Sequence, residues 1–437
     1  MVYTRKLTRF GRAALLLALG AMLAGCGTAL PTPALPEPVT LRFGYYTNMA
    51  EYEPLADMFH ELHPHITVEL VTAHDLGSTT ALYILDSTDL DVIRWYASYP
   101  TPERQERLLS LDAMLETSET FPRDDVYPGA MEALQMDGRQ WAIPAGLDVS
   151  VAYCDPLWLQ AAGVTPPGAD WTLDDLVVAA DAVGDLDHSV YGLCTTSDHD
   201  IFTFTRLLGG QIVDDQRSPT RPTLNTPANV DAIQWYANLR HEYGIVPDPV
   251  QFQQQFGGYG VAVEGAVVKG VCGFWLSSYA ERGGVLWGGG QLKWGSGRVM
   301  LDPPRGYEGS TRLMWVDGYY ILAQSAHPNE AWEWITFLLE HQEAAGQMMP
   351  PRLSQISSQE YAARVGDNAA QIARNLPGDL IVVGAETSTN EAIGVLAALY
   401  QEVAERAVRG ELDSRAAIQN ALDEAQAQAE VSFFAGR

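Results

Sequence analysis

Lysine is almost missing from this chain: among 437 residues it occurs only as Lys6, Lys269 and Lys293, and arginine supplies the other basic side chains. Basic residues number 27 against 55 acidic ones, a formal net charge of −28. That balance excludes a general nucleic-acid binder, which needs a basic surface to displace counterions from phosphates. Charged residues are also scarce, 19% of the chain, against 47% hydrophobic and 10% aromatic. A chain of this make-up buries a core, so wholesale disorder is excluded as well. At roughly 100–200 residues per domain, its length gives two or three domains, or two large lobes.

Catalytic signatures are lacking too. There is no G-x-x-x-x-G-K-[ST] phosphate loop, no G-x-G-x-x-G after the first strand and no G-x-S-x-G elbow. The glycine-rich run from Gly283 to Gly297 lacks the helix start of a phosphate cradle. The segment "HELHPH" superficially suggests zinc, but His60 and His63 are i, i+3 rather than i, i+4, and Pro64 ends the helix. No residue spacing supports a glycosidase carboxylate pair, whose members meet in space rather than in sequence. The chain therefore reads as a non-enzyme with no cofactor and no metal, and it contains no internal repeat.

The N-terminus has its own logic. Arg5, Lys6, Arg9 and Arg12 precede an apolar run, Ala13 to Leu23, too short to cross a bilayer and of the length of a signal-peptide core. The run ends in Leu23, Ala24, Gly25 and Cys26, which resembles the bacterial lipobox. That resemblance implies a signal peptide over residues 1–25 and lipidation of Cys26. Pro31, Pro33, Pro36 and Pro38 then mark residues 26–38 as a semi-rigid polyproline-like tether. Loss of the four leader cations takes the net charge from −28 to −32. The reading is a folded acidic body held outside the membrane by lipid.

Beyond the tether the pattern alternates. Leu41 to Tyr46 reads as a strand. Leu55, Met58, Phe59 and Leu62 form one face of a helix that starts near Pro54 and stops at Pro64, and Ile66, Val68 and Leu70 alternate as a second strand. Leu90 to Ile93 reads as a third, delivering Trp95, Tyr96 and Tyr99 to its carboxyl end. Thr172 with Asp175 makes a capping box, Thr226–Pro227 and Pro328 open further helices, and residues 390–409 and 414–430 are helical. Strand–helix–strand units at this spacing argue for an α/β fold with mostly parallel sheets.

Four stretches carry a family resemblance: "LRFGYYTN" with the following "PLADMFHELHPHITVEL", "MDGRQWAIPAGLDVSVAYCDPLWLQAAGVTPPGADWTLDDLVVAA", "VVKGVCGFWLSSYA" and "VDGYYILAQSAHPNEAWEWITFLL". They resemble the extracellular solute-binding proteins of carbohydrate ABC transporters, the maltose-binding-protein-like group. The resemblance implies a two-lobed periplasmic-binding-protein fold with the ligand cleft between lobes. Lobe one takes residues 39–144 and 300–345, lobe two 145–299 and 346–437, with crossovers near Pro144, Gly297 to Pro303 and Gly346 to Pro351. It also implies a monomer whose partners are a carbohydrate and the permease subunits. A polyol or polyol phosphate, or a secreted glycoside hydrolase, is the alternative. The chain departs from the family in having Cys154 where Asn is usual after the strand's Tyr. It also has Arg94, Trp95 and Tyr96 where an acidic or Gly-rich turn is usual.

A sugar site needs aromatic platforms for C–H faces and planar polar groups for hydroxyls. The chain holds 11 Trp and 19 Tyr. Those placed at strand ends and loops give the candidate ligand-binding set: Tyr46, Asn48, Trp95, Tyr96, Asp148, Phe202, Trp275, Asp317, Tyr319 and Arg352. The resemblance makes Trp275 the leading stacking platform. Trp332 and Trp334 lie inside a helix and read as structural. After Cys26, three cysteines remain; Cys194 and Cys272 both lie on strand-like segments, so one disulfide or buried free thiols are both open.

Overall fold

The computed structural model describes residues 37–45, 52–72, 75, 89–96, 105–136, 138–184, 190–195, 200–215, 219–257, 262–284, 297–307, 313–376, 381–383 and 391–435. The chain divides into units 1–39 and 40–437, and the elements below belong to the second, with β1 starting at the boundary. β1 (Val39–Tyr45), α1 (Glu53–Leu62) and β2 (Ile66–Thr72) open the fold. They are followed by β3 (Val92–Tyr96), a small hairpin of β4 (Gln135–Met136) and β5 (Arg139–Gln140), and the 13-residue strand β6 (Ala142–Cys154). Then come α2 (Pro156–Ala162), α3 (Leu173–Val183), β7 (Tyr191–Cys194), α4 (Asp200–Leu207), α5 (Pro227–His241), α6 (Pro249–Phe256), α7 (Ala262–Val268) and β8 (Cys272–Ser278). The last part runs β9 (Val299–Leu301), β10 (Leu313–Ile321), α8 (Pro328–Glu340), α9 (Gln359–Val365), α10 (Asp367–Arg374), β11 (Ile381–Val383), α11 (Glu391–Val408) and α12 (Arg415–Ala435).

Local chemistry explains the helix starts. Thr172 and Asp175 form the expected capping box on α3, Thr226 caps α5 and Asp248 caps α6, each satisfying N–H groups that a first turn leaves open. Proline occupies the first turn of α1, α2, α5, α6 and α8, where its missing donor costs nothing. Gly410, at φ 82°, makes the left-handed turn between α11 and α12.

The strands run β2-β1-β3-β10-β6-β8-β7, with β11 on β10 and β9 on β6. β1 and β3 are parallel, as are β7 and β8, and β10 and β11. The two α/β halves meet through antiparallel β10 and β6. β6 is shared: residues Ala142 to Val149 pair with β10, while Ser150 to Cys154 pair with β8. Ala152 to Cys154 pair with β9 as well. The change of partner falls between Val149 and Ser150. Pro144 stands at a bulge opposite Asp317 and Gly318, where the ladder skips a residue and a missing N–H is tolerated.

Each face of β6 feeds a different core. Leu147, Val149, Val151 and Tyr153 belong to a cluster with Trp275, Tyr279, Met314, Val316 and Tyr361. Ala152 and Cys154 join Leu176, Phe204, Ile233, Phe274 and Tyr400 under α3, α4, α5 and α11. β3 runs to Tyr96 rather than ending at Ile93, because β10 pairs with it as far as Asp317. No described helix is long and apolar enough to cross a membrane.

Cys194 and Cys272 are disulfide-bonded, and Cys154 is a free, buried thiol. The bridge ties neighbouring β7 and β8 across 78 residues of chain. A Cys194→Ser/Cys272→Ser variant should lose about 2–4 kcal/mol of unfolding free energy in urea. Reductant should bring the parent protein to the same stability and leave the variant unchanged; equal stability of parent and variant would show that the bridge contributes nothing.

Candidate functional site

Open α/β sheets bind ligands outside the carboxyl ends of their strands, where the strand order switches. Here those ends converge on the partner change in β6. β3 ends at Tyr96, opposite Asp317 of β10, and Asp317 faces Gly146 of β6. β11 ends at Val383, opposite Trp315, and Trp315 faces Asp148. β8 ends at Ser278, opposite Ser150. Three strand ends thus meet within residues 146–150 of β6, a span of about 13 Å.

Asp148 holds this point together. It is 1% exposed, and its Oδ1 accepts the N–H groups of Val149 at 2.9 Å and Ala280 at 3.0 Å. The second bond fastens β6 to the turn after β8. Burial pushes the carboxyl up to about 6; the Ser278 hydroxyl and the two N–H donors offset part of that rise, and the nearby charge of Glu281 adds to it. Glu281 accepts the Ser277 hydroxyl, while Arg282 lies 4.7 Å over the Tyr279 ring and donates to the Gln347 carbonyl.

On the other side of the switch lies Arg94, 3% exposed. Its Nε donates to Asp317 Oδ2 at 3.0 Å, and Nη1 donates to Tyr52 Oη and the Ala344 carbonyl, both at 2.9 Å. Nη2 reaches the Ala345 carbonyl and Met348 Sδ, both at 3.2 Å. The buried charge is thereby paired and hydrogen-bonded, as low dielectric demands. Tyr319 belongs to the same network, 3.3 Å from Tyr52 Oη and donating to the Ala344 carbonyl. A side chain at residue 146 would be crowded: a Cβ would lie 3.0 Å from Met348 Cβ and 3.1 Å from Arg94 Nη2.

The remaining expected site residues are distributed as follows. Trp275 is 1% exposed and stacks on Tyr153, ring centroids 5.6 Å apart at 9°; Trp95 is 1% exposed in the same core cluster. Phe202, half-buried on α4, has its ring 6.0 Å from Tyr400. Arg352 donates from Nε to Asp125 Oδ2 at 2.7 Å. Tyr46, Asn48 and Cys26 lie outside the described residues. The structure therefore brings Tyr96, Asp148 and Asp317 to the strand ends, joins Tyr319 to them through Arg94, and encloses Trp95 and Trp275 in the core.

Sequence reasoning passed over Glu281, Arg282 and Trp315, and noted Arg94 only as a departure from the family. Trp315 is 38% exposed between buried Met314 and Val316. Strand alternation carried the signal, because a Trp between two core positions of a strand must face the other way. Among the described residues no group of His, Cys, Asp and Glu could hold a metal ion.

The pH response of Asp148 is testable. Its folded pKa lies above the ordinary carboxylate value, so its contribution to stability is full below about pH 4 and is lost as pH rises through 6. Asp148→Asn removes that loss. The unfolding free energy of the variant relative to the parent should rise between pH 4 and 7 by up to about 3 kcal/mol. A difference independent of pH, in urea unfolding across that range, would refute the assignment.

Comparison with solved structures finds this architecture repeatedly. An ABC substrate-binding protein from Listeria monocytogenes, in complex with cycloalternan, superposes with a TM-score of 0.69 at 16% identity, covering 90% of this chain and 99% of its own. The sugar-binding protein MalE from Xanthomonas citri gives 0.67 at 17% identity, covering 89% and 97%. A ribitol-bound solute-binding protein from Agrobacterium radiobacter gives 0.63 at 20%, covering 90% and 98%. These likenesses establish the two-lobed periplasmic-binding-protein fold. Curated protein sequences give no match. The family model for bacterial extracellular solute-binding proteins matches residues 44–345, well over half of the chain, and the chain belongs to that family.

Proposed function

We infer that this protein captures a sugar or oligosaccharide outside the cytoplasmic membrane and delivers it to the permease of an ABC importer. The observation that carries the reading is the meeting of three strand ends on one shared strand, the kind of place at which α/β sheets bind ligands and two halves can close over a solute. Solved relatives of the same fold hold cycloalternan, α-D-tagatose, maltose, ribitol and D-mannitol, all neutral and polyhydroxylated. In this reading lobe one comprises residues 39–144 and 300–345 and lobe two residues 145–299 and 346–437. The protein works as a monomer, and a lipid on Cys26 holds it to the membrane through the tether of residues 26–38.

Binding occurs without turnover. A glycosidase needs two carboxyl groups open to the scissile bond. Asp148 has the raised pKa of a general acid, but it is enclosed and held by backbone N–H groups, and Glu281 is engaged by Ser277.

Differential scanning fluorimetry against mono- and oligosaccharides, alditols and their phosphates tests this. A cognate solute at a hundred times its Kd should stabilise the protein by about 2.7 kcal/mol, and it should be recovered chemically unchanged. No shift with any sugar or alditol would overturn the sugar reading; consumption of the solute would overturn the absence of turnover.

A further inference from the structure

We propose that Trp315 is the platform on which the bound solute's ring rests, so that the site selects cyclic sugars over open-chain polyols; this rests on the sugar-binding reading above. The enclosed tryptophans do not serve, since Trp95 and Trp275 are each 1% exposed and Trp275 already has Tyr153 against its face. Trp315 differs from both. It is 38% exposed although it lies within β10, bonded on one edge to β6 and on the other to β11. An open indole between two hydrogen-bonded neighbours faces outward from the sheet, and its own flanking residues, Met314 and Val316, are buried on the opposite side.

It stands where the strand ends meet. Directly opposite is Asp148, at the partner change in β6, and two residues along β10 is Asp317, opposite the end of β3. Among the side chains that the structure describes, which do not include that of Tyr96, the other exposed aromatic ones are Tyr243 and Tyr307, and neither belongs to β6, β8, β10 or β11. An indole offers a flat apolar surface, which matches the C–H face of a pyranose ring and has no counterpart on a flexible alditol chain. The same exposure, left uncovered, is a cost that a bound ring removes.

The test uses the purified full chain, with Trp315→Ala and Trp315→Phe variants and isothermal calorimetry. The probes are the best sugar from the fluorimetry panel and the alditol made by reducing that sugar. The parent should bind the cyclic sugar at least about tenfold more tightly than the alditol. Trp315→Ala should lose about tenfold or more in affinity with an unchanged thermal midpoint. Trp315→Phe should stay within a few-fold of the parent. Sugar should shift the indole emission of the parent but not of Trp315→Phe, a change that a purely structural role would not produce. Equal affinity of the parent and Trp315→Ala, or tighter binding of the alditol, would overturn this proposal while leaving the sugar-binding reading intact. A parent that binds neither sugars nor alditols would overturn both.

Discussion

Everything in this architecture depends on one strand having two sets of partners. β6 gives its first half to β10 and its second half to β8 and β9. A strand that changes partners part-way must still satisfy its backbone donors and those of the chain that arrives. Asp148 answers that need from a side chain, accepting one N–H from β6 itself and one from the turn after β8. A carboxylate suits the position because a single oxygen can accept both N–H groups, and its cost is desolvation, visible as a pKa raised to about 6. The point that needs most structural support is therefore also the point at which the strand ends open.

A second segment is fastened beside β6. Met349 bridges Leu147 of β6, so residues 344–351 run alongside the shared strand. From one side Arg94 donates to the carbonyls of Ala344 and Ala345; from the other Arg282 donates to the carbonyl of Gln347. Two arginines from different halves thus grip adjacent stretches of one crossing segment. In a protein that closes by a hinge, bending concentrates between such anchored points. The unusual Arg94 gains a purpose here: a guanidinium offers enough donors to hold a carboxylate, two carbonyls and a tyrosine at once.

Much of this was legible in the sequence, and the reasons differ by element. Caps and helices were local: Thr172 with Asp175, the prolines at helix starts and Gly410 act within a few residues. The α/β alternation and the family followed from the order of such segments. The aromatic residues were harder, because a Trp in a strand means a platform on one face and core on the other. Ending β3 at Ile93 left Trp95 free to serve a site; its pairing with Gly318 turns it inward instead. Cys194 and Cys272 could not be joined on paper for a related reason, since they stand 78 residues apart in sequence and only the folding of β7 beside β8 brings their Cα atoms to 5.6 Å. Arg94 and Asp317 are 223 residues apart, and no periodicity announces their meeting.

On the proposed reading, the charge beside the partner change in β6 bears on which polyhydroxylated solute the protein suits. Phosphorylated polyols require cations directed at the ligand, since an unpaired dianion in a closing site is costly. The two arginines described at the switch are occupied by the protein itself, Arg94 by Asp317 and backbone carbonyls, Arg282 by the Gln347 carbonyl and the Tyr279 ring. Around them stand three acidic side chains, Asp148, Glu281 and Asp317. Glu281 already works against the ionisation of Asp148, and a phosphate brought to the same place would meet that repulsion more strongly. The overall charge of −28 extends the same bias to the approach. A neutral solute avoids these penalties. On the proposed reading, the scarcity of lysine and the three carboxyl groups beside the partner change in β6 thus favour an uncharged sugar over a phosphorylated one.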